Sequence, residues 1–364
     1  MKRFGFGMMR LPMLGDEVDK AQVCQMVDEF LAAGFTYFDT AHGYLDGKSE
    51  LAIRDCLASR HPRESFVLAN KLSAGLFKTR EEVLPYFENQ LRCCGVEYFD
   101  YYLIHAMAAD RYDFYKDTGT FEIIPQLRSE GRVRHFGMSF HDKAEVLDRI
   151  LTEQPELEFV QLQFNYLDYE DPAVEARKCY EVCVKHGKPD SVMEPVKGGA
   201  LAELPADAAA ILDELGGGSH ASYALRFAAG FENVFVVLSG MSTIEQLRDN
   251  VSVMREFRPL CEAGREAVAK VAETLRGKGT IPCTGCHYCT PGCPMGIAIP
   301  DFFSCFNSKR MFGKPQSAER YAELCRDGTG PNDCMACGQC EAACPQHLRI
   351  RSLLGEVAEE FENE

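Results

Sequence analysis

The sequence predicts a (β/α)8 barrel (TIM barrel) followed by a small, mainly helical, cysteine-rich domain, and three observations carry that prediction. Eight short apolar runs alternate with stretches of helical period up to about residue 260. The runs are mostly continuous instead of alternating, as strands buried on both faces require. One cysteine spacing then occurs twice after Arg276. At 364 residues the chain exceeds one average domain, whereas a barrel of about 250 residues leaves room for one small appendage.

In chain order the expected strands are Gly5–Arg10, Phe35–Asp39, Phe66–Lys71, Tyr101–His105, Arg134–Ser139, Phe159–Asn165, Ser191–Pro195 and Val234–Ser239. Between them Asp19–Ala33, Ser49–Arg60, Arg80–Cys94, Lys143–Leu151, Pro172–His186 and Ile244–Met254 carry helical period. Ala106–Thr120 and Ala202–Ser219 read as loops. An open doubly wound sheet is the alternative, disfavoured because no GxGxxG stands at the first strand–helix turn. A helical stretch around Glu262–Thr280 gives way to Gly277-Lys278-Gly279, so residues 1–276 are expected to form the barrel and 277–364 the second domain. Within the latter, Pro300–Phe306 and Ser317–Leu324 look helical.

Hydrophobic content of 46% supports a sizeable core, and no apolar run approaches 18 residues, so no membrane span is expected. A net charge of −16 repels phosphate backbones and anionic lipid, which argues against a nucleic-acid or membrane binder. The acidic tail Glu356–Glu364 reads as a solvated helix end.

The repeated motif is Cys283-x2-Cys286-x2-Cys289-x3-Cys293-Pro294 and Cys334-x2-Cys337-x2-Cys340-x3-Cys344-Pro345. This spacing encloses two cubane [4Fe-4S] clusters, because each CxxCxxC loop turns three sulfurs onto one cluster and the Cys-Pro reaches across to the other. Cys283, Cys286, Cys289 and Cys344 are assigned to one cluster, and Cys334, Cys337, Cys340 and Cys293 to its partner. Zinc closes with four ligands, usually as two separated pairs, and has no use for the third CxxC step. Disulfides require an oxidising compartment, and Met1-Lys2-Arg3-Phe4-Gly5 does not lead into a long apolar signal segment. Nine further cysteines are scattered along the chain, which suits a cytoplasmic protein.

In a parallel barrel, chemistry gathers at the C-terminal ends of the strands. Asp39, Lys71 and His105 each end an expected strand, and Tyr44 follows Asp39 in the loop. Each alone has a structural reading; together they make a proton-transfer set. A lysine ammonium beside Tyr44 favours the phenolate and lowers its pKa towards the range of a working general acid. Asp39 would keep Lys71 charged and oriented, and His105 would donate to a carbonyl oxygen.

Phe38-Asp39-Thr40-Ala41-His42-Gly43-Tyr44, with Ser49-Glu50 after it, resembles the signature of the aldo-keto reductases. The likeness runs from residue 1 to about residue 260, with Gly5-Phe6-Gly7-Met8-Met9-Arg10-Leu11-Pro12 at the start and Glu245-Gln246-Leu247-Arg248-Asp249-Asn250 near the end. That family's Asp, Tyr, Lys and His tetrad matches Asp39, Tyr44, Lys71 and His105. The cysteine region resembles the α-helical ferredoxin type, and the fusion resembles the ferredoxin-containing branch of the family. The resemblance implies NADPH or NADH bound over the barrel mouth. Ser139 and Gln161 match the carboxamide contacts, Pro195, Lys197, Gly198 and Gly199 the pyrophosphate loop, and Ser242, Gln246 and Asn250 the adenosine-phosphate segment. The sequence departs from the family at Phe140, where many members have Asn, and at Met193, where many have a stacking aromatic. It departs again at Gly240 and Gln246, where many NADP-dependent members place Lys and Arg; Arg248 or Lys197 would have to compensate.

The expected function is a cytoplasmic oxidoreductase interconverting a small-molecule carbonyl and its alcohol, with clusters for electron transfer to a redox partner protein. Coupling a two-electron hydride to one-electron clusters requires a pair-splitting group such as a flavin, for which the sequence shows no motif. The alternatives are a plain carbonyl reductase with structural clusters, and a redox-sensing or regulatory barrel protein.

Overall fold

The computed structural model describes residues 2–313 and 316–362; the first residue of the chain and the last two of its acidic tail lie outside them. Eight strands close into one barrel with every neighbour parallel: β1 Phe4–Gly7, β2 Tyr37–Asp39, β3 Val67–Ser73, β4 Phe99–Met107, β5 Val133–Phe140, β6 Phe159–Gln163, β7 Asp190–Met193 and β8 Val234–Gly240. The apolar runs are continuous because successive residues enter two different cores. Tyr37, Ala69, Leu103, Phe159, Val236 and Leu238 fill the barrel interior, while Phe38, Leu68, Tyr102 and Val237 meet the surrounding helices. Gly137 is needed inside, since a Cβ there would stand 2.5 Å from the Phe159 ring and carbonyl.

The helices follow local signals. Lys20–Ala32 starts on Asp19, whose carboxylate accepts from the Gln22 amide at 3.0 Å. Arg80–Cys94 starts at Thr79, whose amide donates to Glu82 (3.3 Å), and stops at Gly95 in the left-handed conformation (φ 68°). The expected helix Ser49–Arg60 is α-helical only over Lys48–Ala52 and widens into a π form over Ile53–Ala58. The first expected strand stops at Gly7, and the Met8 amide bonds instead to the Asp39 carbonyl at 2.8 Å.

Two segments read as loops are largely helical. Ala109–Asp117 hides its period in a polar sequence, only Tyr112 and Tyr115 being buried. Ala206–Asp213 is too alanine-rich to show an apolar stripe.

By compactness the chain divides into Met1–Pro195 with Ala224–Leu260, and Val196–Tyr223 with Cys261–Glu364. Within the second unit Glu262–Gly277 packs on Ala206–Asp213. Lys278 adds an ion pair to Asp207 at 2.6 Å. Helices Ile299–Phe312 and Gln316–Asp327 lie between the cysteine motifs, where helix was expected, and Ile350–Glu362 follows the second. Phe302, Phe303, Phe306, Leu354 and Val357 form this unit's own core together with four buried thiols.

Candidate active site and thiol sites

The strand ends bring the four proton-transfer candidates together. Lys71, wholly buried, donates to Asp39 Oδ1 at 2.5 Å and to the Thr40 carbonyl at 2.9 Å. Its Nζ lies 4.7 Å from the centroid of the Tyr44 ring. The Tyr44 and His105 rings meet edge to face, centroids 6.0 Å apart. Tyr44 opens a tight turn with Leu45 and Asp46 both left-handed (φ 52° and 53°), conformations that L side chains adopt at a cost. That loop is fastened by Thr40 Oγ1 to Ser49 Oγ (2.7 Å) and by Ser49 Oγ donating to the Met8 carbonyl (2.8 Å).

Burial pushes the Lys71 ammonium below its ordinary pKa, and the Asp39 carboxylate works against that shift. Burial, with the Lys71, His141 and Arg111 charges behind it, holds His105 well below the usual imidazole value, so the ring is neutral. Ser73 and His105 are register partners on β3 and β4, and Ser73 Oγ sits 2.6 Å from His105 Nδ1. The Tyr115 hydroxyl donates to the His105 carbonyl at 2.7 Å and accepts from the Ala74 amide at 2.9 Å.

Sequence reasoning missed the polar frame behind Lys71. Gln90 donates to the Lys71 carbonyl (2.9 Å), to Asn70 Oδ1 (3.0 Å) and to Glu50 Oε1 (3.2 Å), and accepts from the Tyr102 hydroxyl at 2.5 Å. Asn70 donates to Glu50 Oε1 at 2.8 Å, and His42 Nδ1 meets Glu50 Oε2 at 2.5 Å. The signal was available: Gln90 interrupts the apolar face formed by Val83, Phe87, Leu91 and Cys94. His42, Glu50 and Cys93 hold donor atoms within 4.8 Å of one another. Both Glu50 oxygens are already engaged, and the short His42 contact leaves no space for an ion between them, so the group is a hydrogen-bonded frame.

The residues matched to the nicotinamide fall into separate groups. Ser139 and Gln161 are buried register partners on β5 and β6. Gln161 Nε2 reaches Asp39 Oδ2 at 3.3 Å, and Ser139 Oγ accepts from the Ala106 amide beside His105 at 2.8 Å. A hydroxyl and an amide placed side by side suit a carboxamide. Phe140 is buried in the outer core and Met193 pairs with Gln163. Asn250 donates to Ser239 Oγ (3.0 Å), while the Ser242 amide donates to Gln246 Oε1 at 2.7 Å. Arg248 forks onto Glu29 at 2.8 and 2.7 Å, so its charge is taken by a surface ion pair. Instead the stem of Arg10 covers Gly240, where a Cβ would lie 3.2 Å from Arg10 Cδ, and Ser242 Oγ donates to the Arg10 carbonyl at 2.9 Å. Pro195 is buried, and Lys197, Gly198 and Gly199 belong to the second unit.

In the second unit Cys283, Cys286, Cys289 and Cys344 line one cavity with Ile299, Phe303 and Ile350. Burial, then the neighbouring thiols, push Cys289 up to about 12 and Cys283 to about 11. Four thiols gathered in one cavity are a donor set suited to a polycationic centre, which would hold them as thiolates. Of the other set, burial and, less, the Cys334 thiol raise Cys340, and a Cβ on Gly292, next to Cys293, would stand 3.9 Å from Gln339 Oε1. Cys337 is exposed. None of the 17 cysteines, all among the described residues, forms a disulfide.

A parallel eight-stranded barrel with an Asp, Tyr, Lys and His group at its strand ends defines a class of oxidoreductase scaffold. The chain belongs to the aldo/keto reductase family, whose family model matches residues 3–273, and residues 282–348 match a 4Fe-4S dicluster domain. An NADH-specific methylglyoxal reductase of Escherichia coli is 26% identical over 228 residues, covering 55% of this chain and 65% of the relative. The chain thus spans just under two thirds of that relative. An uncharacterized oxidoreductase of Bacillus subtilis is 24% identical over 67% of this chain and 85% of its own length. Among solved structures, the holo form of an aldo-keto reductase from Bacillus halodurans superposes with a TM-score of 0.61 at 24% identity, covering 74% of this chain and 91% of that one. One from Klebsiella pneumoniae in complex with NADPH gives 0.60 at 19% identity over 75% and 90%. At these identities the likeness is one of fold.

Proposed function

We propose that this chain is a cytoplasmic, NAD(P)-dependent oxidoreductase that interconverts a small carbonyl and its alcohol, with Tyr44 as general acid and base and two [4Fe-4S] clusters serving electron transfer. The observation that carries this is the joint placement of Tyr44, Lys71, Asp39 and His105. The nicotinamide, when bound, supplies or accepts the hydride, and the clusters, when bound, carry single electrons.

The protein's own residues do the rest. The Lys71 ammonium beside the Tyr44 ring stabilises developing phenolate, so the hydroxyl releases its proton to the alkoxide more readily. Asp39 orients that ammonium and offsets its desolvation. A Ser73 hydroxyl donating to Nδ1 of neutral His105 leaves the proton on Nε2, available to a carbonyl oxygen. Ser139 and Gln161 would hold the carboxamide. Residues 1–276 and 277–364 stand as the proposed domains. The relative named as a methylglyoxal reductase supports a small carbonyl substrate.

A second reading makes the clusters structural. It is favoured by Cys289, Cys340 and Cys344 lying inside the second unit's small core, where a metal replaces missing apolar burial. Anaerobic purification with iron and sulfide counting and flavin extraction, followed by titration with NADH and NADPH, separates the readings. Bleaching of the brown chromophore by either nucleotide supports electron transfer. Persistent colour during carbonyl turnover supports the structural role, and absence of iron refutes both.

A further inference from the structure

Within the barrel unit, the helix Lys20–Ala32 packs against the π segment Ile53–Ala58, and two ion pairs pin them together. Lys20 meets Asp55 at 2.7 Å, and Arg60, just past the segment, meets Asp28 at 2.7 Å. Cys24 stands one helical turn from both Lys20 and Asp28, on the face that carries them. Cys56 stands between Asp55 and Arg60 on the opposing segment. The two cysteines therefore fall between the same two ion pairs. Hydrogen bonds tighten the match: Arg60 Nη1 donates to the Cys24 carbonyl at 3.3 Å and to the Cys56 carbonyl at 3.2 Å. The Cys56 thiol donates to the Lys20 carbonyl at 3.5 Å, the oxygen towards which the Cys24 amide points in an α-helix. Burial, and then a hydrogen bond with the Cys24 thiol, push the Cys56 thiol up to about 12. Exposure divides the pair: Cys24 is half-buried and open to a reagent, whereas Cys56 is buried behind it.

We propose that Cys24 and Cys56 are a reversible thiol–disulfide pair, oxidised by a low-molecular-weight disulfide that enters at Cys24, and that the bond staples the π segment to the first helix. The Cys24 thiolate attacks one sulfur of the reagent, forming a mixed disulfide and releasing the first small thiolate. Cys56 then attacks the Cys24 sulfur, the second small thiolate leaves, and the Cys56 proton goes to it. Two protein thiols lose two electrons, and the reagent gains them as two small thiols. The site is separate from both cysteine motifs and needs neither clusters nor hydride. Its place gives the bond a consequence, because the π segment continues Lys48–Ala52, the helix whose Ser49 fastens the Tyr44 loop and whose Glu50 accepts from Asn70. Oxidation would tie that frame to the first helix.

The test is anaerobic treatment of the full-length, folded protein with oxidised glutathione, then blocking of free thiols with N-ethylmaleimide in denaturant, digestion and mass spectrometry. Wild type is expected to yield a Cys24–Cys56 linked peptide, lighter by two hydrogen atoms than its two reduced parts together, and dithiothreitol should abolish it. Cys56→Ser should stop at the first step and accumulate glutathione on Cys24. Cys24→Ser should leave Cys56 free for the blocking reagent. In wild type, maleimide on both cysteines, glutathione that stays on Cys24, or either cysteine linked to a different thiol overturns the proposal by making the pair two small packing side chains. The wild-type map alone decides, so a variant that fails to fold leaves the answer standing.

Discussion

Lys71 Nζ lies 2.5 Å from Asp39 Oδ1, the lysine wholly buried and the aspartate 4% exposed. Burial alone drives a lysine towards its neutral amine, and the carboxylate opposes that drive. The pair therefore depends on both members. Lys71→Met leaves a carboxylate in low dielectric, and the expected cost is about 3–5 kcal/mol. Asp39→Leu leaves an ammonium and costs a similar amount, while the double change to Met and Leu costs less than the sum. Thermal and urea unfolding of the four proteins measures this; single variants as stable as wild type would remove the coupling.

Tyr44→Phe keeps the ring against Lys71 and His105 and deletes only the transferable proton. Carbonyl reduction should fall by about 10²–10⁴-fold. Nucleotide affinity, read by fluorescence titration, should not change. An unimpaired turnover would exclude Tyr44 as the acid and favour a sensing role.

Ser73→Ala removes the hydroxyl 2.6 Å from His105 Nδ1. With one hydrogen bond no longer selecting the tautomer, kcat should drop roughly tenfold. Nitrogen-15 spectra of labelled histidine should show mixed Nδ1 and Nε2 protonation in place of one form. Because the folded pKa of His105 lies below the ordinary 6.5, its contribution to stability is present above that pH and lost on acidification. The rate profile should accordingly lack an inflection from His105 near neutrality.

Asp190 opens β7 and is 1% exposed; burial raises its carboxyl to about 7 despite bonds from Asn233 (2.7 Å) and Cys183. The native state binds this proton more tightly than the unfolded chain, so stability is highest below about pH 4 and is lost as pH rises through 7. Asp190→Asn keeps an acceptor for Asn233 and cannot ionise. It should match wild type at pH 4 and exceed it at pH 8 by up to about 4 kcal/mol. Melting curves across that range that stay parallel would refute the raised value.

Cys286→Ser removes one thiol of the first cavity. Iron and sulfide should fall to about half, the other set being intact. If the clusters transfer electrons, nucleotide-dependent bleaching of the remaining chromophore weakens. If they are structural, turnover per folded barrel is unchanged.

The barrel was legible because its strands are continuous apolar runs, and Asp39, Lys71 and His105 were legible because each ends such a run or lies near its end. Gln90, Ser73 and Tyr115 were harder to find, since their partners lie on other elements and no local pattern connects them. Ala109–Asp117 escaped for a related reason: with two buried side chains it has almost no stripe to detect.

The cysteine spacing and the Asp39 to Tyr44 stretch are local chemistry, so the order of residues alone pointed to a 4Fe-4S dicluster domain and to the aldo/keto reductase family. Which groups face one another was decided only by closure of the barrel and packing of the loops. Register sets Ser73 beside His105, burial gives Lys71 its need for Asp39, and a missing Cβ at Gly198 lets that residue lie against the Thr284 backbone. Burial and proximity arise from folding in three dimensions, and no spacing along the chain contains them.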